Sequence, residues 1–286
     1  MTRKDGKLVL KIVSATLFAI GLCVGQSHSE QPLKLRDFPS STPDGSPSIA
    51  AKHVAKDSEW VRKRYRDLAA DLGGGVELKQ VKLVFVGDSI TQHLMGEKAL
   101  GQAGYWNNEF GRPGEKNYAL NLGVAGDRTE NVLLRLLSEK EGGFGQLDNP
   151  EIQPEVIVLL VGINNTWNTN GDVATKVVEG QVAVIRKLQA LRPAATIVVN
   201  SLMPTNDMYR NKSIVLKANR RLYGEVDKID NVVWLDTYPA FVNSDGSQKA
   251  DLFIDGVHPN EEGYKVWMGL LLPKLEQVRM LQRNET

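Results

Sequence analysis

Serine, histidine and aspartate act as nucleophile, base and orienting acid only where a fold brings them together. This 286-residue chain offers one candidate for each. Ser89 stands in Lys82-Leu-Val-Phe-Val-Gly-Asp-Ser-Ile-Thr-Gln-His93, directly after an apolar run and a glycine. Asp255 and His258 lie three residues apart in Phe253-Ile-Asp-Gly-Val-His-Pro-Asn260. That spacing lets the carboxylate bond Nδ1 of His258 while Nε2 points outward, the role an acid plays for a catalytic histidine. A serine hydroxyl needs such a base, because its own acidity is far too weak at neutral pH. Two loops add donors for a developing negative charge. In Asn121-Leu-Gly-Val-Ala-Gly-Asp-Arg-Thr129, Gly123 and Gly126 let the backbone pass close to a ligand. In Val161-Gly-Ile-Asn-Asn-Thr-Trp167, Asn164 could turn its side-chain amide into a cleft. Each signal has a structural alternative: Ser89 as a helix N-cap, the glycines as a turn, Asn164 satisfying loop carbonyls, the histidine as packing. Their order is harder to obtain from structure alone.

The elements that must position these residues alternate. Leu83 to Val86 reads as a strand buried on both faces of a parallel sheet, and a helix-like segment follows Ser89 at once. Four further strand candidates are Tyr118–Leu122, Glu155–Val161, Thr196–Asn200 and Val232–Asp236. Between and after them, helical periodicity covers Thr129–Lys140, Val173–Leu191, Lys212–Ile229 and Glu261–Val278, with another helix at Ile49–Leu72 ahead of the first strand. Such alternation predicts an α/β domain, a parallel sheet with helices on both faces. The candidates then share one carboxyl edge, where open α/β sheets bind ligands. No repeat or composition break appears after residue 49, so residues 49–286 read as one domain.

The N-terminus reads differently. Arg3, Lys4, Lys7 and Lys11 precede an apolar stretch from Ile12 to Gly25, too short to span a bilayer comfortably, with a plausible cut after Ser29. Residues 1–29 are therefore expected to be a secretory signal peptide. A lipoprotein reading of Cys23 is disfavoured by the bulky Leu22 before it. Residues 30–48, rich in Pro and Ser, read as a flexible tether. Cleavage lowers Lys plus Arg from 35 to 31 and Asp plus Glu from 34 to 33, so net charge passes from +1 to −2. No basic excess then points to nucleic acid or an anionic membrane surface. The one cysteine leaves with the signal, so neither a disulfide nor a thiolate metal site is expected, and His53, His93 and His258 are the remaining histidines. The expected location is outside the cytoplasm, in a bacterial periplasm or beyond, with no stable membrane insertion after cleavage.

The blocks Gly87-Asp88-Ser89-Ile90, Gly126, Gly162-Ile163-Asn164 and Asp255-Gly256-Val257-His258 resemble those of the SGNH hydrolases, the GDSL esterase and lipase superfamily. The resemblance runs from roughly Trp60 to the last helix. In texture it is nearest the catalytic subunits of intracellular platelet-activating factor acetylhydrolases and their bacterial relatives, through Asn121-Leu-Gly-Val-Ala-Gly-Asp-Arg128 and Trp234-Leu-Asp236. It implies a flavodoxin-like three-layer α/β/α sandwich around a central parallel sheet of about five strands. It also implies ester hydrolysis without metal or other cofactor. Ser89 would be the nucleophile, His258 the base and Asp255 its orienting acid. Ser89 N–H, Gly126 N–H and the Asn164 amide would form the oxyanion hole. A homodimer is compatible with the resemblance.

These expectations converge on an exported esterase removing short acyl groups, acetyl above all, from a small molecule or glycan. Asp88, His93, Asn165 and Trp167 are candidate pocket residues. His93, at i+4 from Ser89, is expected at the cleft mouth or packed locally, and Asp88 as a cap beneath Ser89. The polar–aromatic stretches at 167–170 and 204–209 are candidates for the acyl or alcohol side. The competing enzymatic readings are a lipase or lysophospholipase and a thioesterase. A reading of another class is a catalytically silent module binding carbohydrate or protein.

Overall fold

The protein is described by a computed structural model that covers residues 77–96, 103–168 and 170–284. The signal segment, the tether and the helix expected at 49–72 lie outside the described residues. Five strands form the sheet: β1 (Leu83–Gly87), β2 (Ala119–Gly123), β3 (Val156–Leu160), β4 (Thr196–Asn200) and β5 (Val232–Leu235), in the order β2-β1-β3-β4-β5. Every pairing is parallel, and register aligns the strand ends, with Gly87 opposite both Gly123 and Leu160. β1 to β4 are buried throughout. That two-sided burial is why they read as continuous Val, Ile and Leu runs without alternation.

Six α-helices of five residues or more accompany the sheet among the described residues: α1 (Ser89–His93), α2 (Ala103–Glu109), α3 (Thr129–Leu136), α4 (Val173–Leu191), α5 (Leu216–Val226) and α6 (Glu261–Asn284). With the sheet they make the expected three-layer α/β fold. All five predicted strands match within one residue at each end, β3 being one residue shorter at both ends than the stretch Glu155–Val161. α4 matches its predicted span. α3 stops earlier than its periodicity suggests, because Ser138 caps a separate 3-10 turn at Glu139–Glu141. α5 is preceded by a short helix at Met208–Arg210 and a π turn at Asn211–Val215. α6 continues to Asn284 through Pro273.

The order β2-β1-β3-β4-β5 has its switch point between β1 and β3, since the chain leaves β1 toward β2 and later returns to β1's other flank. A crevice opens at the carboxyl ends of such a pair. α1 follows β1 there and lies close across the ends of β1 and β2. A Cβ on Gly123 would strike the backbone amide of Gln92, and one on Gly87 would strike the Thr91 side chain and the Leu160 carbonyl. Asn121 ties the same contact with hydrogen bonds, its Nδ2 donating to Thr91 O at 2.8 Å and its Oδ1 accepting Gly123 N–H at 2.8 Å.

α6 closes the sheet from the far end of the chain. The Tyr264 hydroxyl donates to Ile90 O at 2.7 Å, and Trp267 Nε1 donates to Asn200 Oδ1 at 2.9 Å. Both rings are fully buried. Beneath them Phe85 meets Trp106 and Phe110 edge-on, at 5.6 and 5.1 Å between ring centres. The helix that begins with Ser89 is thus held from β2 and from α6. A methyl at Gly123 forces α1 away from the sheet. Gly123→Ala is expected to cost on the order of 1–3 kcal/mol, read as a lowered thermal midpoint. Turnover should fall by more than the loss of folded protein accounts for.

Candidate active site

Ser89 is the first residue of α1, buried at the end of β1. Asp88 caps that helix, its Oδ1 accepting Ile90 N–H at 3.0 Å. The N-cap alternative for Ser89 is resolved by position: the cap is Asp88, which leaves the serine hydroxyl free for another partner. That partner is His258, whose Nε2 lies 2.8 Å from Ser89 Oγ, and whose Nδ1 lies 2.7 Å from Asp255 Oδ2. An ionised carboxylate can only accept, so Nδ1 carries the proton and Nε2 is left to accept from the serine hydroxyl.

The Asp255–His258 loop explains why the pair meets. Asp255 Oδ1 accepts the backbone N–H groups of Val257 at 3.0 Å and His258 at 2.9 Å, an Asx turn that wraps the loop around its own carboxylate. Gly256 takes φ +81° there, and a side chain on it would collide with Asn206. Partial burial acts to raise the Asp255 pKa. The His258 backbone amide, the His258 ring and the Val257 amide outweigh it and hold the carboxyl below its usual range. Asp255 therefore stays ionised where His258 needs a negative partner.

The turn after β2 brings Gly126, with φ +81°, toward the same point. Ala125 N–H donates to Gln92 Oε1 at 2.7 Å and Asp127 N–H to Val124 O at 3.1 Å. Asn164, in the 3-10 turn Ile163–Trp167 after β3, donates through Nδ2 to Asp127 O at 2.8 Å. One of its two amide hydrogens is thereby fixed on the Gly126 turn, and the second remains for a ligand. Ser89, Gly126, Asn164 and the Asp255–His258 loop thus share one edge.

Of the other pocket candidates, His93 lies with its ring 5.0 Å from that of His258, tilted by 46°, and so walls the base on the α1 side. Asn165 faces away from the serine, donating through Nδ2 to Glu130 Oε2 at 2.7 Å while its Oδ1 accepts Thr129 N–H. Trp167 is exposed and lines a cleft beyond Asn164. Asp88 is buried, and its Oδ2 has no hydrogen-bond partner. Burial pushes its pKa up to about 7, with the Ile90 N–H lowering it and nearby Asp127 raising it further.

Sequence reasoning missed what holds these loops together. Arg135 on α3 is fully buried, and its Nε donates to Asp127 Oδ2 at 2.7 Å, Nη1 to Gln146 Oε1 at 2.5 Å and Nη2 to Gly87 O at 2.8 Å. One guanidinium thereby joins the last residue of β1 to the turn carrying Gly126. The available signal was an arginine on the apolar stripe of α3, beside Val132 and Leu136. Among the described residues no three His, Cys, Asp or Glu side chains cluster as a metal site, and no helix is long and apolar enough to cross a membrane.

Two measurements test this framework. Asp127→Ala leaves Arg135 buried without its counter-ion, an arrangement that costs about 3–5 kcal/mol, and chemical denaturation should register that loss. The raised pKa of Asp88 means that between pH 4 and 7 the unfolded chain releases a proton that the folded chain keeps. Stability contributed at that position therefore falls as pH rises through this window, by up to about 1.4 kcal/mol per unit. Asp88→Asn removes the titration, so the stability of Asp88→Asn relative to wild type should increase from pH 4 to pH 7 and then level off. A constant difference across that range would place the Asp88 pKa in the ordinary carboxylate range.

The sequence profile of the GDSL-like lipase/acylhydrolase family matches residues 85–266. Subunit alpha2 of the Homo sapiens platelet-activating factor acetylhydrolase IB is 32% identical over 218 residues, covering 75% of this chain and 82% of that protein. Subunit alpha1 from Rattus norvegicus is 29% identical over 214 residues, 74% of this chain and 80% of that protein. Among solved structures, a GDSL-like lipase from Bacteroides thetaiotaomicron superposes with TM-score 0.55 at 17% identity, over 75% of this chain and 97% of that one. An acetyl xylan esterase superposes with TM-score 0.51 at 21% identity, over 68% and 99%. The structural likenesses concern the fold; the profile and the acetylhydrolase subunits concern ancestry. The chain belongs to the GDSL-like lipase/acylhydrolase family, the SGNH hydrolases, and is an ester-hydrolysing enzyme.

Proposed function

We propose that the enzyme is an exported serine esterase that cleaves short acyl esters, acetyl above all, through Ser89, His258 and Asp255. The observation that carries this reading is the continuous hydrogen-bonded line from Ser89 Oγ through the His258 ring to the Asp255 carboxylate, at 2.8 and 2.7 Å. Ser89 Oγ attacks the ester carbonyl carbon as Nε2 of His258 takes its proton. Nε2 then returns that proton to the departing alkoxide, leaving an acyl-serine. Water, deprotonated by the same nitrogen, attacks the acyl carbon; the acyl C–Oγ bond then breaks, Nε2 returns the proton to Ser89 Oγ, and the acid leaves. Asp255 holds the ring in the reactive tautomer and stabilises the imidazolium in both halves.

The negative oxygen of each tetrahedral intermediate is met by the N–H groups of Ser89 and Gly126 and the free amide hydrogen of Asn164. Ser89 N–H lies at the N-terminus of α1, where partial positive charge favours an anion. The acetyl preference is supported by the names of the acetylhydrolase relatives. Export is supported by the basic and apolar segments within residues 1–29. Release of a chain beginning near Glu30 into the periplasm or medium, read by N-terminal sequencing, would check it.

Hydrolysis of p-nitrophenyl acetate tests the chemistry. Ser89→Ala should abolish turnover. Asn164→Ala should lower kcat by about a hundred- to a thousandfold, roughly 3 kcal/mol of transition-state stabilisation. Ser89-independent hydrolysis would refute the mechanism. Rates rising steeply from acetate to octanoate esters would favour the lipase reading.

A further inference from the structure

A cleft of about 570 Å³ lies beside the catalytic line, within the size range of small-molecule sites. Ser89 and His258 do not line it; Trp167, Tyr209, Arg210, Asp172, Asp207 and Arg221 do. Both walls are fastened to the reacting centre. Trp167 belongs to the turn that carries Asn164. On the other side, Asn206 N–H donates to Gly256 O at 2.9 Å, inside the loop that carries Asp255 and His258, and Asp207 follows it directly. The floor includes Ser213 and Ile214 of the π turn Asn211–Val215, a rare element found disproportionately at functional sites. Asn211 is buried, and its amide grips Thr205 O at 2.6 Å and Thr205 N–H at 2.8 Å, which fixes the far wall.

We propose that this cleft is the leaving-group subsite and takes a neutral, hydroxyl-rich saccharide whose ester reaches Ser89. The assignment rests on Ser89 being the nucleophile, and it adds the identity of the alcohol. Trp167 is 42% exposed and Tyr209 77%, two aromatic surfaces left open at the cleft. The Arg210 guanidinium lies 4.1 Å over the Trp167 ring and holds it in place, while covering one face. The opposite face is left for the flat apolar side of a pyranose.

Four of the five charged groups on the walls are paired with one another, and Lys217 is the fifth. Arg221 Nη1 donates to both oxygens of Asp172, at 3.0 and 2.9 Å, and Arg210 Nη2 lies 3.7 Å from Asp207 Oδ2. Sugar hydroxyls can donate to such carboxylates and accept from such guanidiniums at once. An acyl chain would cover these ions and return no hydrogen bonds, which is unfavourable. A quaternary ammonium would compete with Arg210 for the indole face. A polyanion would find Lys217, but also the carboxylates of Asp172 and Asp207, which already hold the two wall arginines.

The test uses the Ser89→Ala protein, which binds without turning over. It is titrated calorimetrically with cellotetraose, xylotetraose and mannotetraose, and in parallel with tetragalacturonate and with glycerophosphocholine. At least one neutral tetrasaccharide should bind more tightly than the other two ligands. Trp167→Ala, and separately Arg210→Ala, should weaken that binding on the order of tenfold, and Trp167→Phe should restore most of it. In the Ser89 enzyme, Trp167→Ala should lower kcat/KM on the acetylated tetrasaccharide at least about tenfold relative to kcat/KM on p-nitrophenyl acetate. Binding by none of the neutral sugars, tighter binding of tetragalacturonate or glycerophosphocholine, or equal losses on both esters would overturn the proposal. Failure of the nucleophile assignment registers elsewhere, as p-nitrophenyl acetate turnover that survives Ser89→Ala while tetrasaccharide binding persists.

Discussion

One buried guanidinium decides where this site can be. Arg135 sits without solvent exposure between the end of β1 and the turn that carries Gly126, paired with Asp127 and bonded to the carbonyl of Gly87. Taking both charges from water is costly, so the pair adds little to net stability. What it provides is location. If β1 ended one residue later, or the turn shifted, the guanidinium would lose a partner it cannot replace. Asn164 extends the same constraint to β3 through the Asp127 carbonyl, and three strand ends are thereby held in one arrangement.

Around that arrangement the site is assembled from opposite ends of the chain. α1 reaches it directly from β1, pressed onto β2 where Gly123 leaves room for the Gln92 backbone. His258 arrives on a loop that carries its own carboxylate partner, stiffened by two backbone N–H groups on Asp255 Oδ1. Tyr264 then bolts the helix after that loop to the carbonyl of Ile90, beside Ser89. The result is a short path between fixed points, and little of it depends on side chains free to swing.

Much of this was legible in the sequence for physical reasons. Two-sided burial wrote β1 and β3 as unbroken apolar runs, and the Asp255–His258 spacing encodes an Asx turn that needs no distant partner. Non-local features were illegible. Arg135 looks like any helical arginine until its stripe is compared with Val132 and Leu136. Asn165, beside Asn164 and equally polar, turns instead to Glu130, because the 3-10 turn rotates successive side chains by about a third of a circle. α2 also went unpredicted, being a single short segment. Its Trp106, and Phe110 just after the helix, pack edge-on against Phe85.

The bond between Tyr264 and Ile90 joins residues 174 positions apart, and that between His258 and Ser89 residues 169 apart. Contacts of such long range exist only when the C-terminal segment is docked on the sheet, and closing them carries a loop-entropy cost. On the proposed mechanism, undocking of α6 would part the serine from the imidazole and silence the site.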